Sequence, residues 1–132
     1  MLRTLVLATC LVLAGIAHAR DNELWNADPE LKAWYSALMQ PDNERTSCCG
    51  EADAYWCDNI HIVAGTFTYC TITDTRFVPG RTPVAVGTEI LIPDRKLMDG
   101  RKTNGNPTGH GIVFLSSGAD PTVYCYVQPA GI

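Results

Sequence analysis

The chain has 132 residues, a formal net charge of −4, 46 % hydrophobic and 18 % charged residues. That balance excludes an intrinsically disordered chain and leaves no basic footprint for nucleic acid. The length points to one domain once an opening segment of different character is set aside.

That opening segment reads as a signal peptide. Met1-Leu2-Arg3 gives a short positive start, residues 4–17 are apolar, and Ala17-His18-Ala19 fits the small-x-small cleavage pattern, so the cut is expected after Ala19. An apolar run of about 14 residues is short of the roughly 20 that span a bilayer. Cys10 lies inside the run and not at its end, against lipidation. The expected product is a periplasmic or secreted bacterial domain, residues 20–132, with no transmembrane segment left after cleavage.

The first expected element is a helix. Asp28 can cap it, Pro29 suits its first position and Glu30 favours its positive end. Leu31, Trp34, Tyr35 and Leu38 recur at i, i+3, i+4 and i+7 and make one apolar face. Pro41 is expected to stop the helix, and Leu24 or Trp25 to pack beside its start. Residues 41–54 are polar and read as a loop.

Beyond the loop the pattern turns to strands. Residues 60–63 and 66–73 read as a hairpin around Ala64-Gly65. Residues 76–79 form a short extended piece, and residues 82–86 and 88–93 read as strands. Residues 99–111 are a glycine-rich loop, and residues 112–115 and 122–128 read as a final strand pair. One helix followed by five to seven short, mostly antiparallel strands predicts an α+β fold: a helix packed on a small sheet or partly open barrel, stapled by disulfides.

Five cysteines follow the signal: Cys48, Cys49, Cys57, Cys70 and Cys125. An oxidising compartment makes pairing the default, and an odd number leaves one thiol over. Adjacent cysteines do not readily meet disulfide geometry. The hairpin brings Cys57 and Cys70 together, and either Cys48 or Cys49 is expected to bond Cys125. That second loop, about 75 residues long, stabilises by roughly 4 kcal/mol in the chain-entropy model.

Taken in order, the helix with Trp34-Tyr35 and Leu38, Ser47-Cys48-Cys49-Gly50 with Asp53, Ile92-Pro93-Asp94, Asn106-Pro107-Thr108-Gly109, and Tyr124-Cys125-Tyr126-Val127 with Pro129 resemble a set of small exported alphaproteobacterial proteins. The resemblance spans most of the chain after the signal. Many of that set carry a cysteine directly after the aspartate, where this chain has Ala54 and places Cys57 three residues later. The resemblance implies an exported disulfide domain and carries no activity with it.

Candidate chemistry is sparse. A cysteine nucleophile would need His61 or His110 as base, with Asp53 as orienter. Cys48, Cys49, Cys57 and His61 suit zinc poorly, because adjacent cysteines do not match ligand spacing. No metal or other cofactor is expected. Arg95, Lys96, Arg101 and Lys102, with His110 beyond them, gather positive charge around one loop of an acidic chain. The leading expectation is a binding domain for an envelope protein or an anionic envelope polymer. The alternatives are a thiol-dependent enzyme or redox protein using the unpaired cysteine, and a structural envelope component that dimerises through it.

Overall fold

The computed structural model describes residues 28–50, 52–98 and 105–130. The signal segment, Leu24, Trp25, Arg101 and Lys102 lie outside them. Helix α1 spans Pro29–Ala37. The Asp28 carboxylate accepts from the amides of Glu30 (3.0 Å) and Leu31 (3.1 Å), which satisfies two of the donors a helix start leaves open. The helix ends before Pro41 can stop it. Leu38 turns extended, and its carbonyl takes the Cys48 amide at 2.9 Å.

The stretch read as a loop is largely ordered into strands. Strand β1 (Met39–Gln40) and strand β2 (Asn43–Ser47) form an antiparallel ribbon through a turn at Pro41-Asp42. Strand β3 (Asp53–Val63) starts inside the same stretch. It turns at Ala64 and Gly65, both at positive φ (53° and 70°), into strand β4 (Phe67–Ile72). Residues 82–86 form no strand; Pro83 has no amide to give a ladder. Strand β5 (Glu89–Ile92), a 3-10 turn (Asp94–Lys96), strand β6 (Leu97–Met98), strand β7 (Ile112–Leu115) and strand β8 (Val123–Val127) complete the order.

The six strands from β3 to β8 form one sheet in the order β5-β4-β3-β7-β8-β6, curled into a half-barrel. Every pairing is antiparallel except β6 with β8. The result is α+β: one helix, this sheet and the two-stranded ribbon, among the described residues.

The two-residue period of a strand sends alternate side chains to opposite faces. On one face Tyr55, Cys57, Cys70, Ile72, Ile92 and Val113 pack into a core. On the other, Ile112, Phe114, Cys125 and Val127 meet Tyr35 and Leu38 from α1 and its end. Tyr35 and Phe114 touch edge to face, with centroids 6.0 Å apart. Strand β7 serves both cores, so all four of its residues are buried, and its sequence is an unbroken apolar run. Each core holds one disulfide: Cys57–Cys70 in the first, Cys48–Cys125 in the second.

Gly111 enters β7 where the chain runs tightest. Its carbonyl accepts the Cys57 amide at 2.7 Å, and the Tyr126 hydroxyl donates to the Cys57 carbonyl at 3.0 Å. A Cβ added at Gly111 would overlap that carbonyl and the Tyr126 hydroxyl. Gly111→Ala is therefore expected to lower stability by about 1–3 kcal/mol, as overpacking does, read as a fall in the urea midpoint with an unchanged slope.

Candidate functional site

The most elaborated polar structure lies around Trp56, in the middle of β3. The Trp56 amide donates to Asp74 Oδ2 at 3.1 Å, and its carbonyl accepts the Thr73 amide at 3.0 Å, so the segment after β4 is tied to the backbone of β3. The Asp74 side chain is 1 % exposed. It takes Arg76 in a fork, Nε to Oδ1 at 2.9 Å and NH2 to Oδ2 at 2.7 Å, and Arg81 NH1 at 3.0 Å. Burial works to raise the Asp74 pKa, but the bonds from Arg76, Arg81 and two backbone amides win and hold it well below the usual carboxylate range.

This clamp lays Arg76 on the Trp56 ring, 3.8 Å from its centroid. His110 stacks on the same indole at 4.0 Å, with the planes 9° apart. His110 is itself held by Asp58, Nδ1 to Oδ2 at 2.9 Å. Asp58 also accepts the Thr73 hydroxyl at 2.5 Å and the Gly111 amide at 2.8 Å. Burial opposes ionisation of Asp58, and those bonds more than offset it, so its pKa is lowered.

Beside this stack opens a cleft of about 1300 Å³, floored in part by Trp56 and Arg76. Helix α1 supplies one wall through Leu31 and Trp34, with Leu38 at its end. Strands β1 and β6 supply Met39, Gln40, Leu97 and Met98, and the segment 105–108 closes a further side. Asp28, Glu30 and Glu44 are the acidic groups along it. Its position follows from the fold: α1 covers one end of the second core, and the ribbon stands off from the sheet at the other.

The predicted basic loop has a different character. Lys96 is buried, 7 % exposed, and donates to Gln40 Oε1 (2.9 Å) and Asp42 Oδ1 (2.7 Å). Arg95 meets the same Asp42 at 3.5 Å. Lys96 fastens the 3-10 turn to the ribbon and is closed to an anionic partner, whereas the Arg95 side chain stays 67 % exposed. His110 is committed to Asp58 and Trp56 as above.

The cysteines and remaining histidine occupy separate places. Cys48 bonds Cys125, and Cys57 bonds Cys70. Cys49 is a thiol whose sulfur donates to the Tyr35 carbonyl at 3.2 Å. Burial pushes its pKa up to about 12. Neither histidine bonds it: His61 lies across β3 and β4 on Tyr69, with Glu89 at 3.2 Å. Asp53 is buried at the other end of β3. Among the described residues no group of three or more His, Cys, Asp or Glu side chains could hold a metal ion. No helix among them is long and apolar enough to cross a membrane.

The residues that build the cleft rim and the indole stack carry no local sequence motif. Asp58 and His110 are 52 positions apart, and Lys96 and Asp42 are 54 apart. The one available signal was Trp56 itself, a large aromatic inside a strand with polar neighbours. In comparisons with known proteins, no family model, curated protein or solved structure matches the chain.

Two outcomes follow. Asp74→Asn leaves Arg81 buried without its counter-charge and is expected to cost about 3–5 kcal/mol at pH 7. Because the folded-state pKa of Asp74 is depressed, its contribution is present above the unfolded value near pH 4 and is lost as pH falls below it. The gap between wild type and variant, measured by urea unfolding, therefore narrows from pH 7 to pH 3. Separately, in protein made from Arg20 on, which lacks Cys10, iodoacetamide at pH 8 is expected to leave the native state unlabelled and to add one group after unfolding without reductant, read by intact mass, because Cys49 holds almost no thiolate until it is exposed.

Proposed function

We propose that this chain is an exported, disulfide-stabilised α+β binding domain that takes its ligand in the cleft between α1, the β1–β6 side and Trp56. Export follows from the signal-like residues 1–19, with the domain beginning at Arg20 and α1 as its opening helix. Two disulfides belong to an oxidising compartment, the periplasm or beyond the cell. The resemblance to small exported Cys-Cys proteins of alphaproteobacteria agrees with that address.

The observation that carries the binding reading is the cleft of about 1300 Å³, walled by two tryptophans and several Leu and Met side chains. Concave, largely apolar sites with a few placed polar groups are where ligands bind. Thioether side chains such as Met39 and Met98 adapt to a partner's shape.

Of the two partner classes, the observations favour an envelope protein over an anionic envelope polymer. Lys96, one of the four cations assigned to the polymer, is buried against Gln40 and Asp42. The thiol readings have less support. Cys49 has its sulfur against a backbone carbonyl and its ionisation suppressed by burial, which suits neither a nucleophile nor an intermolecular bridge.

The test is a pair of variants. Ala37→Trp fills the cleft from an exposed helix position, and Cys49→Ser removes the thiol. Envelope protein captured by the wild type is expected to be lost with Ala37→Trp and kept with Cys49→Ser, while both variants stay folded by circular dichroism. Loss with Cys49→Ser and retention with Ala37→Trp would move the reading to thiol chemistry.

A further inference from the structure

Resting on the reading of the cleft as the binding site, we infer that its occupant is an extended basic peptide segment, with apolar residues alternating with Lys or Arg. Charge is the first argument. Asp28, Glu30 and Glu44 line the cleft, and Arg76 is the single cation among its described lining residues. The Arg76 charge is committed to the buried Asp74 in a two-bond fork, and its face lies on Trp56. Glu30 and Glu44 make no side-chain hydrogen bond or ion pair among the described residues. An anionic ligand would meet three carboxylates, whereas a cationic one finds partners in two of them.

The second argument is backbone. Among the described residues, strand β6 is the edge of the six-stranded sheet, paired with β8 alone, and β1 is paired with β2 alone. Both strands line the cleft, through Leu97, Met98, Met39 and Gln40. A strand edge carries amides and carbonyls with no ladder partner, and an added extended segment is the chemistry that satisfies them. Successive residues of a strand aim their amide and carbonyl to opposite sides, so each two-residue edge offers one residue's groups, and the Leu97 amide is already given to Asp94. The apolar walls must then supply the rest of the binding, through every second side chain of the segment. The other side chains point to the rim, where the carboxylates are.

The experiment uses the purified exported protein and three blocked hexapeptides, VKLKVK, VQLQVQ and VELEVE. Binding is read by tryptophan fluorescence and by amide shifts at Met39, Leu97 and Met98. The expected result is that VKLKVK binds and moves those three amides, and that VELEVE binds at least tenfold more weakly. The double change Glu30→Gln with Glu44→Gln, at exposed positions, should weaken VKLKVK by about threefold to tenfold, as should raising the salt. Equal affinity for all three peptides at the cleft amides would overturn the charge argument and leave the cleft reading standing. No peptide shift at these amides, with native capture still lost in Ala37→Trp, would overturn the peptide class alone. If Ala37→Trp also left capture intact, the binding reading would fall with it.

Discussion

The carboxylate of Asp74 is the constraint on which the site depends. It lies just past the end of β4, out of water, and uses both oxygens: one for the Arg76 side chain and amide, the other for Arg76, Arg81 and the Trp56 amide. Arg81 carries the connection on to the Ala54 and Arg76 carbonyls. One buried charge therefore fixes the path of residues 74–81, the orientation of Arg76 and the exposure of the Trp56 ring. A neutral residue there would take from the buried Arg81 its Asp74 counter-charge, which is costly at low dielectric.

A sheet with a core on each face usually needs substantial layers on both sides. Here the second layer is thin: one nine-residue helix and a two-stranded ribbon. The Cys48–Cys125 bond ties that layer to β8, and Lys96 ties the ribbon to the 3-10 turn through Gln40 and Asp42. With so little cover, part of the second face stays open, and the cleft is that opening. The cleft and the thin cover thus have one cause.

Much of the fold was legible, where the sequence carried periodicity or a cap. Asp28-Pro29-Glu30 marked the helix start because capping is local. The runs read at 88–93, 112–115 and 122–128 marked strands because burial leaves a pattern in the chain. The ribbon left none. Asn43–Ser47 is exposed along nearly its whole length, so no alternation betrays it. Residues 82–86 misled for the opposite reason, with an apolar stretch but a proline at its second position. The site was scarcely legible. Its partners, Asp58 with His110 and Gln40 with Lys96, are joined only by the fold. Lys96 in particular sits in a run of charges that reads as solvated, until a carboxylate from far up the chain covers it. The choice between Cys48 and Cys49 was likewise open in the sequence. Which of the two faces β8 depends on where the ribbon delivers them.

The hairpin of β3 and β4 has a further implication for motion. Beyond Trp56, β3 leaves β7 and continues with β4 as its main partner, past a bulge between Asp58 and His61. Val63 and Phe67, near its tip, are exposed, and only 13 positions separate the bonded Cys57 and Cys70 at its base. A closed ring of that kind confines excursions of the tip. Residues 62–67 can open and exchange their amide hydrogens while the ladder below the disulfide stays shut. The protein then has two tiers of stability along a single strand, with the crosslink as the boundary between them. The indole stack at Trp56 and its cleft belong to the slow tier, so breathing of the tip leaves the cleft in place.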